Sequence, residues 1–230
     1  MNQAHPPLQR LRRRTQQIDK LLRARFGTPV RRKRRDPLSV LIQTILSQNT
    51  TDVNSGRAFA ALRARFPHWD DLLKARRSTI ARTIRSGGLA DQKSKRIKHI
   101  LSWLQSTQGS LSLNFICRMN TSEAADKLTS LPGVGPKTAF VVLLFACGKP
   151  VFPVDTHIHR VTTRLGLIPE GTTAAKAHDL LANVVPNGAE YPLHLNLIQH
   201  GRTICRPRKP SCGECPLNQL CAKIGVGESG

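Results

Sequence analysis

The sequence predicts an all-α protein, and three observations carry that prediction. Apolar residues recur at helical spacing in almost every segment, and no segment sustains the two-residue alternation of a half-buried strand. Proline and glycine punctuate this pattern where helices should begin and end, at Pro37, Gly87-Gly88, Pro132-Gly133 and Pro136.

In chain order, Leu8, Leu11, Ile18, Leu22 and Phe26 mark a basic amphipathic helix over 8–26. Its other positions carry Arg10, Arg12, Arg13, Arg14, Lys20, Arg23 and Arg25. After Gly27 and Pro29, the run Arg31-Arg32-Lys33-Arg34-Arg35 is a loop, either a solvated arm or a phosphate contact. Pro37 opens an apolar helix with Leu38, Leu41, Ile42, Ile45 and Leu46 facing the core. Thr50 or Thr51 can cap the next helix, whose N-terminal dipole Asp52 favours. That helix runs to about Phe66 through Val53, Phe59 and Leu62. Leu72 and Leu73 mark a short helix, and Ser78 caps another that stops at Gly87-Gly88. Over 91–107, Ile97, Ile100, Leu101 and Leu104 point inward, with Lys93, Lys95, Arg96 and Lys98 on the other side. Further helices are expected over 155–165, 172–185 and 190–204.

Between these lies LTSLPGVGPKTAFVVLLFACGKPVFPVD, residues 128–155. Proline cannot continue the helix before Pro132, and Gly133 readily takes the left-handed cap. Val134 returns to the apolar side, and Gly135 allows a second sharp turn. Pro136 suits the first turn of a new helix, where its missing N–H costs nothing. The result is a helix-hairpin-helix over 128–147. Free N–H groups at the start of the second helix make an anion site for a DNA phosphate, with Gly133, Val134 and Gly135 of the hairpin as expected DNA-binding residues, and Lys137 projects beside it.

Composition narrows the partners. Lys+Arg 36 against Asp+Glu 14 gives a net charge of +22 over 230 residues, a field that favours a polyanion, nucleic acid above all. Aromatics at 4% argue against a base-stacking sheet. No run approaches the roughly 20 apolar residues that a membrane span needs. A basic N-terminus without an apolar core is not expected to be a secretory signal.

Four of the six cysteines, Cys205, Cys212, Cys215 and Cys221, follow a C-x6-C-x2-C-x5-C spacing. Such crowding suits a metal site in a reducing compartment rather than disulfides. Zinc modules usually bring two CxxC-like pairs, and only one is present, so zinc is the lesser alternative. Cys117 and Cys147 are expected to be ordinary buried thiols. His157, His159, His194 and His200 show no ligand spacing and are expected as cap or core residues.

LPGVGPKTA, VDTHIHRV and the four-cysteine spacing together resemble the endonuclease III family of helix-hairpin-helix DNA base-excision glycosylases, from about Leu38 to Cys221. The resemblance implies a six-helix barrel domain over 30–149 and a second helical domain built from 1–29 and 150–230. It further implies a DNA-binding cleft between the two, with Lys137 and Asp155 facing it, and a [4Fe–4S] cluster on the four cysteines. In this family the lysine attacks the sugar C1′ as a neutral amine, displaces the base and forms a Schiff base that permits β-elimination. Asp155 would take a proton or stabilise positive charge on the sugar, although as the residue before Thr156-His157-Ile158 it is also a good N-cap. Because the target base lies inside a duplex, it must be flipped out and its place filled. Leu89 in GGLADQKSK matches the family's apolar wedge, and Asn49 in LSQNTTD matches the polar residue opposite. The family usually has glutamine at the Asn49 position and often a basic residue where Pro136 stands. Arg206, Arg208 and Lys209, between the first two cysteines, are expected phosphate contacts.

The expected protein is therefore a monomeric, cytoplasmic, nucleoid-associated bacterial enzyme on double-stranded DNA. It would act as a bifunctional glycosylase and abasic-site lyase on oxidised pyrimidines. The rivals are a mismatch glycosylase for thymine or uracil, and a non-catalytic DNA-binding protein. Adenine-specific relatives usually carry serine at the lysine position, which Lys137 disfavours.

Overall fold

A computed structural model describes residues 6–31 and 34–227. Arg32 and Lys33 of the arginine run lie outside the described residues. Among the described residues there are only helices and connecting turns, so the all-α expectation holds. The α-helices are α1 Leu8–Phe26, α2 Pro37–Ser47, α3 Asp52–Arg65, α4 Trp69–Lys74, α5 Arg77–Thr83, α6 Ala90–Gln108, α7 Thr121–Thr129, α8 Pro136–Val142, α9 Thr156–Arg164, α10 Ala174–Val184 and α11 Glu190–Thr203. The chain divides into two compact units, one of residues 33–149 and one of 1–32 with 150–230.

In the continuous unit, α2 is the central element, packed by α3, α6 and α8. Asp36 starts it by accepting from the amides of Leu38 (3.4 Å) and Ser39 (2.9 Å), and Pro37 fits the first turn. Leu38, Val40, Leu41, Ile42, Ile45 and Leu46 are all buried. Thr51, the second of the two expected caps, accepts from the amide of Asn54 and starts α3.

Several expectations fail here for identifiable reasons. Val53 is 70% exposed, because α3 turns the small residues Ser55 and Ala58, with Leu62, toward the core. Ser78 lies inside α5 rather than capping it. Lys93 is not on the outer side of α6 but only 1% exposed. Cys117 and Cys147 are half-buried and joined as a disulfide, not separate buried thiols. Chain reversal at the hairpin brings the 3-10 turn Asn114–Cys117 against the π-helical turn Leu143–Cys147 that ends the α8 run.

In the discontinuous unit, α1 packs on α10 and α11 through Leu11, Ile18 and Leu22, while Leu8 stays 45% exposed one turn before the core begins. Asn196 is fully buried in α11 and donates to the Gly27 carbonyl, tying down the end of α1 (3.0 Å). Helices α9 and α11 approach closely at Gly201, where a Cβ would stand 3.0 Å from the His157 Cβ.

Candidate active site and metal centre

Helix α7 stops at Thr129, and Gly133 takes φ 78°, as the hairpin requires. A side chain there would also collide with Arg96, whose Nε lies 2.3 Å from the ideal Cβ position. Val134 is buried as expected, but its amide donates to the Leu131 carbonyl at 3.0 Å, so it is not a donor for an anion and the expected DNA contact at Val134 fails. Gly135 is not a second sharp turn: its φ of −92° and ψ of 178° are extended backbone that any residue adopts. Pro136 opens α8, and Lys137 stands exposed in its first turn. The hairpin is braced by Gln48, the C-cap of α2. Gln48 Nε2 donates to the Gly133 carbonyl (3.1 Å) and the Thr138 hydroxyl (3.4 Å), and its Oε1 accepts from Arg96 (2.7 Å).

Two turns beside this brace carry the expected gap-filling residues. Asn49 is exposed at φ 52°, one residue beyond Gln48. Leu89 is 51% exposed at φ 48°, just before α6. Both are left-handed without being glycine, a conformation that costs a residue with a Cβ about 1–2 kcal/mol. Such strain concentrates where function selects it. In unit 33–149 the structure thus joins hairpin, Asn49 turn and Leu89 turn through neighbouring helix ends.

Asp155 belongs to the other unit. Its Oδ1 accepts from the Ile158 amide at 2.7 Å, so it is the N-cap of α9. The buried run Val151–Val154 leads into it. Two buried histidines hold that run, His178 donating from Nδ1 to the Phe152 carbonyl (3.2 Å) and His194 to the Pro153 carbonyl (3.1 Å). A carbonyl only accepts, so each Nδ1 carries the proton. Asp155 is therefore placed both by its own cap bond and by the core behind it.

Cys205, Cys212, Cys215 and Cys221 are free, half-buried and line one cavity with His200 and Arg164. N–H groups point at three of the sulfurs: Arg164 at Cys205, the Leu217 amide at Cys215 and the Lys223 amide at Cys221, each at 3.4 Å. Burial pushes the Cys215 and Cys221 thiols above their ordinary value, and the neighbouring cysteines push the same way. Four thiolates held together there need positive charge among them. Among the described residues no three Cys, His, Asp or Glu side chains close around a single ion. Four free cysteines lining one cavity are the donor set that holds a [4Fe–4S] cluster. Burial lowers His200 to about 4, so its ring is neutral at neutral pH beside Cys215. Arg206, Arg208 and Lys209 are exposed on the loop after Cys205, and Arg206 reaches the Ser211 hydroxyl (3.3 Å).

Gln48, Arg96, His178 and Arg164 have roles that the sequence does not announce, whereas His194 is a core residue as expected. Arg164, 7% exposed, donates to the carbonyls of Arg206 (2.7 Å) and Pro207 (2.9 Å) as well as to Cys205, so it shapes the cysteine loop from α9. No local motif marks these residues, because each acts on a segment distant in sequence.

Comparison with known proteins gives the family and the fold. Residues 42–187 match the HhH-GPD superfamily base excision DNA repair protein family, and residues 205–221 match the iron-sulfur binding domain of endonuclease III. Endonuclease III of Thermotoga maritima is 34% identical over 87% of this chain and 91% of its own length. An Arabidopsis thaliana protein named as a DNA glycosylase is 38% identical over 78% of this chain, which spans 64% of that longer protein. Among solved structures, a trapped endonuclease III–DNA covalent intermediate superposes with a TM-score of 0.78 at 27% identity, covering 95% of this chain and 97% of that one. A thermostable thymine-DNA glycosylase also reaches 0.78, at 26% identity over 92% and 96% of the two chains. With its iron–sulfur cysteines and most of its length matched, the chain belongs to the HhH-GPD superfamily of base excision DNA repair proteins as an endonuclease III-like DNA glycosylase.

Proposed function

We propose that this glycosylase is bifunctional and removes oxidised pyrimidines from double-stranded DNA, with Lys137 as nucleophile and Asp155 as its acidic partner. The observation that carries the reading is the exposed amine of Lys137 in the first turn after a rigid, braced hairpin. The neutral Lys137 amine attacks C1′ of the flipped nucleotide, the bond from C1′ to the base breaks, and the base leaves with the electron pair and takes a proton. The amine loses its proton as the sugar ring opens to a Schiff base. Loss of a C2′ proton then expels the 3′ phosphate by β-elimination. Asp155 accepts a proton or offsets positive charge on the sugar. The reading requires both side chains at one nucleotide. Leu89 and Asn49 occupy the gap left by the flipped base. Gly133, Gly135, Arg206, Arg208 and Lys209 hold phosphates, which position the duplex without reading sequence. A monomer acting at the nucleoid of a bacterial cytoplasm, with a barrel domain over 30–149 and a cluster domain from the remainder, completes the proposal.

The likeness to a thymine-DNA glycosylase favours a second reading, mismatch repair on the same scaffold. A duplex panel separates the two. Thymine glycol, dihydrouracil and 5-hydroxycytosine should be excised with strand cleavage, and G·T and G·U pairs should be left largely intact. Preferential release of mismatched thymine or uracil would reverse the assignment of substrate.

In a closed four-cysteine cage the cluster has no open position for substrate, so its contribution is to hold the loop of Arg206, Arg208 and Lys209. Cys212→Ser should cost iron, thermal stability and duplex affinity together, the affinity by about tenfold, or about 1.4 kcal/mol. Iron and sulfide analysis, a melting curve and a duplex titration check this. A variant with its fold and affinity intact but its lyase chemistry lost would instead assign the cluster to catalysis.

A further inference from the structure

Lys93 is fully buried, 1% exposed, and the ion pairs found among the described residues, Arg23–Asp19 and Arg77–Asp91, do not include it. Its Nζ donates to the carbonyl of Leu46 and to the carbonyl of Gly87, both at 2.8 Å. Leu46 lies in the last turn of α2, where carbonyls lack helical partners and the dipole favours a cation. Gly87 ends the 3-10 turn Arg85–Gly87. One ammonium therefore ties together two turns that are 41 residues apart, as the sequence numbers of its two acceptors show.

Those turns are the ones that present Asn49, three residues past Leu46, and Leu89, two residues past Gly87. Both residues are left-handed without being glycine. The Lys93 amide also bonds to the Leu89 carbonyl at 2.9 Å. Gly87 lies close against α3, where a Cβ would stand 3.1 Å from the Ala58 Cβ, and it sits beside the Leu46 carbonyl, 3.7 Å from the same position. Filling this space did not require a charge. Burial, with Arg96 nearby, lowers the pKa of the Lys93 ammonium, so leucine or methionine would occupy the site without that penalty. What lysine adds is a charge-assisted bond to each turn.

We infer that Lys93 is a positioning residue for base flipping: its buried ammonium clamps the Asn49 and Leu89 turns together so that both side chains enter the duplex as one unit. This rests on the gap-filling role proposed above for Asn49 and Leu89. The clamp touches no DNA itself, so its loss should leave binding to undamaged duplex in place and impair insertion.

The test uses the full chain and a duplex with 2-aminopurine opposite a tetrahydrofuran abasic-site analogue. Unstacking of the 2-aminopurine on binding raises its fluorescence. Lys93→Met should lose most of that rise and slow single-turnover cleavage of true abasic DNA by about tenfold, while undamaged-duplex Kd stays within about twofold. Ile116→Ala, an unrelated buried position in the same unit, serves as a destabilised comparison and should keep the fluorescence rise. A folded Lys93→Met protein with the wild-type rise would overturn the inference. If Lys93→Met does not fold, Lys93→Gln decides, because its shorter, uncharged amide keeps a donor in the site but cannot make charge-assisted bonds to both the Leu46 and Gly87 carbonyls; a wild-type response there overturns the inference equally. Leu89→Ala and Asn49→Ala test the reading beneath: if neither alters the response, those residues do not fill the gap, and the role of Lys93 falls with them.

Discussion

Lys137→Ala should bind undamaged duplex like the wild type while its strand cleavage at abasic sites falls to background. The side chain is exposed in the first turn of α8 and its replacement leaves the hairpin intact, since the brace from Gln48 and Arg96 bonds to Gly133 and Thr138 rather than to Lys137. Surface substitutions of this kind usually change stability by about 0.5 kcal/mol or less. Loss of cleavage without loss of folding or binding would place the covalent step on this amine. Measurement is by gel assay of strand cleavage, thermal melt and duplex titration on one preparation. A variant that still cleaves at the wild-type rate would show that another amine performs the chemistry.

Asp155→Asn should separate two roles that one carboxylate combines. Asparagine is about as good an N-cap as aspartate, so the bond to the Ile158 amide survives and α9 keeps its start. The negative charge does not survive. If Asp155 moves a proton or offsets charge in the transition state, single-turnover base release should fall by about 10²–10⁴-fold, the usual worth of a positioned acid or base. Melting temperature should change little. Asp155→Ala should lose the same activity and in addition the cap, for which about 1 kcal/mol is typical. An Asn variant as active as the wild type would leave Asp155 as a helix cap and nothing more.

The sequence announced these residues unevenly, for physical reasons. Pro132, Gly133, Val134, Pro136 and Lys137 lie within one short stretch, and each acts on its own neighbours, so local rules find them. The cysteine spacing is legible for the same reason. Lys93 follows its periodicity and not its charge. It stands four residues before Ile97 and eight before Leu101, on the buried face, and the hydrogen bonds that permit this come from carbonyls of distant turns. The Cys117–Cys147 bond joins positions 30 apart that meet only after the hairpin reverses the chain. Arg164 and the two histidines behind Asp155 are likewise visible only once α9, α10 and α11 are packed. Val53 fails in the opposite sense: a valine at plausible helical spacing is left outside because the face of α3 turned to the core carries Ser55, Ala58 and Leu62.

The claim that Lys137 forms the covalent link to DNA has one direct test. Wild-type protein incubated with abasic-site duplex is reduced with borohydride, digested, and the adducted peptide is located by mass spectrometry. The account predicts a single reduced sugar adduct on Lys137. No adduct, or an adduct on any other amine of the chain, would contradict it.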